Sequence, residues 1–283
     1  MRVRSIEGNR QRLDGGAMYG NCPKAVWSKW SPPDESNRIE LACRALLVEV
    51  DGVRVLLETG IGAFFEPALR ARYGVEPAEH VLLASLREVG LSHEDIDVVV
   101  LSHLHFDHAG GLLSAWEENK ESALLFPKAR FLVSREAFER ATHAHERDRA
   151  SFVPGLARKL EESGRLELVT SQTSPSLPDG FSFTFSEGHT PGLMLTTVST
   201  PRGDVTFASD LIPGAPWVHL PITMGYDRFP EKLIEEKRAL LDKAATDGGA
   251  IAFTHDPHVA AARITKRDGR YAAQDAMPRV DWM

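Results

Sequence analysis

Cysteine is nearly absent. Cys22 and Cys43 are the only two among 283 residues, too few for a disulfide framework in a chain this long, so both are expected as reduced thiols. Long apolar runs are missing too: the longest, such as Ala45 to Val48 and Val98 to Leu101, have the length of strands and fall far short of a membrane span. Arg2, Arg4, Glu7 and Arg10 open the chain with no apolar stretch behind them, so no secretory signal is expected and the chain reads as cytoplasmic. Nor is there a basic cluster. With 33 Lys and Arg against 40 Asp and Glu and a net charge of −7, the chain lacks the concentrated positive charge that displaces counterions from a nucleic acid. The expected partner is a small molecule, with neither nucleic acid nor membrane, and a homodimer is left open.

What remains has the composition of a folded globular chain, 42% apolar and 26% charged, with no shift between halves and no repeat, so one domain over 1–283 is expected. Arg44 to Val50 and Val53 to Leu57 flank Asp51-Gly52, a dipeptide suited to the positive φ angles of a tight hairpin turn. The spacing of Val81, Leu82, Leu86 and Val89 before Gly90 predicts a helix over 77–89. Ile96 to Leu101 and Arg130 to Val133 read as strands, and the charged stretch Arg135 to Arg149 as a helix. Ser171 to Gly180 reads as a loop. Strands follow at Phe181 to Phe185, Leu193 to Ser199 and Asp204 to Ala208, then a helix at Glu231 to Ala245 and a short strand at Gly249 to Phe253. Strands and helices interspersed in this way imply an α/β protein with sheet layers covered by helices.

The chemistry is concentrated after the strand ending at Leu101, in Ser102-His103-Leu104-His105-Phe106-Asp107-His108-Ala109-Gly110-Gly111. Imidazole nitrogen and carboxylate oxygen suit Zn²⁺ and similar divalent ions. A loop can aim His103 and His105 at one point and Asp107 and His108 at another. Three more candidates also sit just past strands: His189 in Glu187-Gly188-His189-Thr190-Pro191-Gly192, Asp210 after Val205 to Ala208, and His255 after Ile251 to Phe253. Seven donors exceed one tetrahedral ion and suit two ions sharing a carboxylate.

His-x-His-x-Asp-His, a Gly-His-Thr-Pro-Gly segment, an isolated Asp and a late His together resemble the metallo-β-lactamase superfamily over Glu58 to His255. The resemblance implies an αββα sandwich with two metal ions at one edge. By position, His103, His105 and His189 would hold the first ion, Asp107, His108 and His255 the second, and Asp210 would bridge them. Gly15-Gly16-Ala17-Met18-Tyr19-Gly20 with Pro23-Lys24, and Asp210-Leu211-Ile212-Pro213 running on to Gly225-Tyr226-Asp227, are similar to the quorum-quenching lactonase and organophosphate-hydrolase branch. Two departures stand out. Glu58-Thr59-Gly60 replaces the usual Asp-Thr-Gly, and Pro213 stands where many acyl-homoserine lactonases place a Tyr that assists the oxyanion.

The expected cofactor is two divalent ions, zinc first, with Mn²⁺, Co²⁺ or Fe²⁺ accepted by the same donors. The expected reaction is attack on a lactone or ester carbonyl by hydroxide bridging the ions, with Asp107 carrying a proton to the leaving alkoxide. Phosphotriester or phosphodiester hydrolysis, thiol or persulfide oxidation at a single iron, and regulatory ligand binding are the alternatives. Phe106, Trp217, Met224 and Tyr226 are the expected pocket residues, drawn from an aromatic set that also holds Trp27, Trp30, Phe64 and Phe65. No Lys or Arg motif adjoins a donor loop, so neutral substrates are expected to be preferred. His80, His93, His143, His145, His219 and His258 are expected on the surface or at caps, with His143 and His145 on the 135–149 helix.

Overall fold

The computed structural model describes residues 1–282. Its strands are β1 (Arg2–Ile6), β2 (Gln11–Asp14), β3 (Arg38–Leu41), β4 (Ala45–Val50), β5 (Val53–Leu57), β6 (Val98–Val100), β7 (Arg130–Ser134) and β8 (Leu166–Val169). They continue as β9 (Phe181–Ser186), β10 (Leu193–Thr200), β11 (Gly203–Phe207), β12 (Ala250–Ala252), β13 (Ala261–Arg267), β14 (Arg270–Met277) and β15 (Asp281–Trp282). A seven-stranded sheet runs β15-β1-β4-β5-β6-β7-β8, a six-stranded sheet runs β14-β13-β12-β11-β10-β9, and β2 and β3 form a separate ribbon.

Side-chain alternation along the strands builds the layers. Leu46 and Val48 of β4 meet Phe183, Met194 and Val198 of the other sheet in one core between the sheets. Ala45 and Leu47 point the other way, into a second core with Leu82 and Leu86 of helix Val81–Glu88 and Leu156 and Leu160 of helix Leu156–Glu162. On the far side Leu195, Ile251 and Phe253 pack with Leu233 and Leu241 of helix Pro230–Asp247. The result is the αββα sandwich implied by the resemblance. No helix among the described residues is long and apolar enough to cross a membrane.

The Asp51-Gly52 hairpin forms as the sequence requires, with φ of 51° and 81° joining β4 to β5 in register Val50 to Val53. The helix expected over 135–149 stops at Thr142. Thr142 turns its hydroxyl back onto the Phe138 and Glu139 carbonyls, and Arg140 holds Asp148 through Nε and Nη2 at 2.9 and 2.7 Å. His143 and His145 therefore lie on an irregular loop beyond the helix, not on its faces.

Topology brings the functional loops to one edge. β5 and β6 are parallel, β11 and β12 are parallel, and β9 and β11 both run antiparallel to β10. The segments leaving the C-terminal ends of β5, β6, β9, β11 and β12 therefore open on the same side.

Candidate metal centre

His103 and His105 leave the end of β6 in extended backbone, and residues 106–109 then form a single α-turn beginning at His105. The sequence alone reads as a loop here, because a loop can aim its side chains at two points. The turn is present, yet Asp107 and His108 still face one centre, their side chains reaching Oδ1 to Nε2 at 3.8 Å. Gly111 lets the turn approach β5: a Cβ there would lie 2.0 Å from the Thr59 carbonyl oxygen.

The seven candidate donors converge in two groups, His103, His105, His189 and Asp210 in one and Asp107, His108 and His255 in the other. Within each group the donor atoms lie within 4.8 Å of one another, and all seven residues are buried. Asp210 reaches both groups. Its Oδ2 is 3.2 Å from His189 Nε2 and 3.3 Å from His108 Nε2, and its Oδ1 is 3.1 Å from His255 Nε2. His103 Nε2 and His105 Nε2 are buried with no hydrogen-bond partner. His103 Nε2 faces Asp210 Oδ2 at 4.0 Å, and a buried orphan nitrogen facing a carboxylate fits a metal ion; His105 instead turns Nδ1 inward, to 3.3 Å from His189 Nε2.

The opposite side of every donor ring but that of His105 faces a protein group, the arrangement that orients metal-binding histidines. His103 Nδ1 lies 2.8 Å from Ser102 Oγ, which also bonds Ser209 Oγ at 2.7 Å. His255 Nδ1 faces the Ala42 carbonyl at 2.7 Å and His189 Nδ1 faces Asp227 Oδ1 at 2.9 Å. Glu58 stands in left-handed backbone, φ 69°. Its Oε1 accepts the Ser102 N–H at 2.9 Å and comes to 3.7 Å from His108 Nδ1. The longer Glu side chain thus still reaches the metal loop. Sequence reasoning did not single out Ser102 or Ser209, and it met Asp227 only as part of a resemblance.

Electrostatics divides the rings. Burial, together with the charges of His108 and other neighbouring histidines, holds His103 well below the usual imidazole range, and burial and His189 do the same for His105. Burial also opposes charge on His108 and His255, but Asp210 and Asp107 outweigh it and raise both well above that range. Burial likewise opposes ionisation of Asp210, yet His108, His255 and His189 hold it well below the usual carboxylate range.

A cavity of about 400 Å³ opens onto this cluster. Phe106, Met224 and Tyr226 line it with Leu13, Met18 and Tyr73, and Phe106 packs at 4.7 Å on the Tyr73 ring. Trp217 does not belong here. It is buried in a stack on Tyr19 at 4.4 Å, with Tyr19 in turn on Trp27 at 5.4 Å. Its Nε1 donates to the Met18 carbonyl at 3.0 Å, so it supports a wall residue from behind. Two further residues reach the site from segments outside the donor loops. Gln11 on β2 donates from Nε2 to Asp107 Oδ2 at 2.6 Å, and Arg147 lines the cavity itself. No Lys or Arg motif adjoins a donor loop in the sequence, yet Arg147 reaches the cavity on the loop that the shortened 135–142 helix releases. Of the dismissed histidines, His80 is partly buried, with Nε2 3.1 Å from the Gly111 carbonyl, and His219 stacks on Trp30.

Comparison with known proteins agrees with this arrangement. A family model described as the metallo-beta-lactamase superfamily matches residues 38–255. An N-acyl homoserine lactonase of Bacillus sp is 26% identical over 176 residues, 58% of this chain and 61% of that protein, so the chain covers less than two thirds of that relative. The N-acyl homoserine lactonase AiiB of Agrobacterium fabrum is 27% identical across 92% of this chain and 95% of its own length. A probable metal-dependent hydrolase from Staphylococcus aureus superposes with a TM-score of 0.85 at 24% identity, covering 97% of both chains. AidC, described as a dizinc quorum-quenching lactonase, gives 0.73 at 20% identity over 97% of this chain and 94% of that one. These structural likenesses establish the fold, and the family model spans every one of the seven donor positions. The chain belongs to the metallo-β-lactamase superfamily.

Proposed function

We propose that the chain opens lactones or cleaves esters at a dinuclear metal centre. In this reading His103, His105 and His189 hold one divalent ion, Asp107, His108 and His255 hold the other, and Asp210 is shared. The carrying observation is the seven-donor cluster, in which Asp210 lies within 3.3 Å of donors of both groups, His189 of the first and His108 and His255 of the second. Such ions supply Lewis acidity and a water acidic enough to react at neutral pH. Zinc suits the donors, which also accept Mn²⁺, Co²⁺ and Fe²⁺. The lactone reading is supported by relatives that bear the name N-acyl homoserine lactonase.

The chain's own residues then complete the site. Asp107 Oδ2 accepts from Gln11 and also faces His255 Nε2 at 3.6 Å, so it is the oxygen that would hold the ion, and Oδ1 is left to carry a proton to the departing alkoxide. Tyr226 stands in the cavity wall, and burial, then Asp107, Asp14 and Tyr73, push its phenol up to about 12. It stays a hydrogen-bond donor at neutral pH and takes the role that Pro213 cannot. The Pro213 carbonyl is used otherwise, accepting the His255 N–H at 2.9 Å. Phe106, Met224 and Met18 present apolar surface to the acyl part, where each buried methylene contributes up to about 0.8 kcal/mol.

The test couples metal analysis to turnover of lactones and aryl esters beside an aryl phosphodiester and a phosphotriester, with Zn²⁺, Mn²⁺ and Co²⁺ each supplied. Two metals per chain and preferred lactone or ester turnover are expected, and Asp210→Ala should lose both ions. One fully bound metal per chain, or faster phosphodiester cleavage, would overturn the reading.

A further inference from the structure

Arg147 is the single Lys or Arg among the residues lining the metal cavity, and no carboxylate among the described residues pairs with it. Its Nη2 donates to the Gly225 carbonyl at 2.7 Å and reaches the Asp227 carbonyl at 3.5 Å. These contacts fix the guanidinium between the 143–155 loop and the 224–227 segment and employ one of its three nitrogens. Arginine carries five N–H donors in a planar fork, so Nε and Nη1 are left to face a ligand. Of the two acids beside it in the chain, Glu146 lies outside the cavity lining and forms no ion pair with it among the described residues, and Asp148 lines the cavity but is taken by Arg140 at 2.7 and 2.9 Å. Asp107 and Asp210 belong to the donor cluster on the cavity floor. The wall therefore offers an organised cation with no internal ion pair, in the same cavity as the candidate metal donors.

We propose that Arg147 is a specificity-determining residue that recognises a carboxylate carried by the substrate at a distance from the bond being cleaved. The inference rests on the hydrolase reading above and narrows its substrate class: lactones or esters whose acyl or alcohol arm ends in an anionic group. Neutral amides and carbonyls also accept from a guanidinium, but a charge-assisted pair is shorter and about twice as strong. Arg147 is solvent-exposed, so screening keeps the intrinsic preference at about fivefold, to which the two equivalent ends of a dicarboxylate add a factor of two.

Binding to the metal-loaded protein tests this without turnover. Linear α,ω-dicarboxylic acids from succinate to suberate are compared by calorimetry with their half-amides, which replace one carboxylate by a neutral group of the same shape. At the length that spans the cavity, the dicarboxylate should bind about tenfold more tightly, well beyond the statistical advantage of two equivalent ends. Arg147→Gln should bring the ratio close to that statistical limit, Arg147→Lys should restore part of it, and high salt should compress it in the wild type. A role confined to pinning the two loops would weaken both ligands together and leave the ratio unchanged. That result, or a wild-type ratio at the statistical limit for every length, overturns the proposal. If the ratio behaves as expected while no lactone or ester is hydrolysed, the hydrolytic reading falls and the Arg147 site stands. Hydrolysis without the ratio has the reverse meaning.

Discussion

Asp227 serves two partners with one carboxylate: Oδ1 lies 2.9 Å from His189 Nδ1, and Oδ2 accepts the Met224 N–H at 2.6 Å. It thus sets the orientation of a candidate metal donor and the course of the segment carrying Met224 and Tyr226. Asp227→Ala is expected to weaken metal binding by about ten- to a hundredfold, the usual cost of losing the partner of a ligating histidine. Asp227→Asn should lose less, because an amide oxygen can still accept from one partner. Competition with a chromophoric chelator measures both, and an unchanged affinity in the Ala variant would separate Asp227 from the centre.

Gln11 is buried on β2 and donates to Asp107. Gln11→Leu keeps most of the volume and deletes the donor, so turnover should fall about tenfold with metal content preserved. Gln11→Glu sets a second carboxylate beside the first and should cost more, by like-charge repulsion. Equal turnover in the wild type and the Glu variant would remove Gln11 from the mechanism.

His80 carries a pH dependence. Burial lowers its pKa below the ordinary 6.5, against the bond to the Gly111 carbonyl, and its Nδ1 is buried without a partner. Between the folded and unfolded values the unfolded chain binds more protons, so stability rises with pH across that window. The contribution is complete above about 6.5 and is lost as the pH falls through the folded value. Denaturant unfolding of the wild type and His80→Gln across pH 5 to 8 should show their stability difference shrinking on acidification. A pH-independent difference would contradict it.

Lys237 is fully buried, and its Nζ donates to the carbonyls of Trp217 at 3.1 Å, His219 at 3.4 Å and Ile222 at 2.5 Å. Burial pushes its amine down to about 7 against the pull of Asp227, while three acceptors match the three donors of an ammonium. Lys237→Met fills the space but strands those carbonyls, and should destabilise the fold by about 2–4 kcal/mol. Hydrogen exchange over 217–224 should accelerate. Unchanged exchange there would show that the segment is held by other contacts.

The donor positions could be read from the chain because each sits just past an apolar strand, where local pattern fixes topology and topology fixes the edge. The residues behind them were not legible in that way. Gln11, Arg147 and Ser209 reach the site through contacts between segments far apart in sequence, and none carries a motif. Trp217 shows the converse: its place beside Asp210 suggested the cavity, but the Tyr19 and Trp27 rings offered a larger buried stack. One omission did have a local signal. Asp268-Gly269 repeats the dipeptide of the first hairpin, with φ of 48° and 73°, and turns β13 into β14. Their charged and small residues conceal the strand pattern on either side.

The donor cluster is drawn from both sheets. His103, His105, Asp107 and His108 follow β6 in one, and His189, Asp210 and His255 follow β9, β11 and β12 in the other. An ion held by both sets would act as a reversible crosslink between layers otherwise joined by apolar packing and hydrogen bonds such as Ser102 Oγ to Ser209 Oγ. The sheets could not part without releasing it, so metal occupancy would govern how long the folded chain survives as well as its equilibrium stability. Heat or protease resistance in a chelator would then report on the centre in a protein whose substrate had never been supplied.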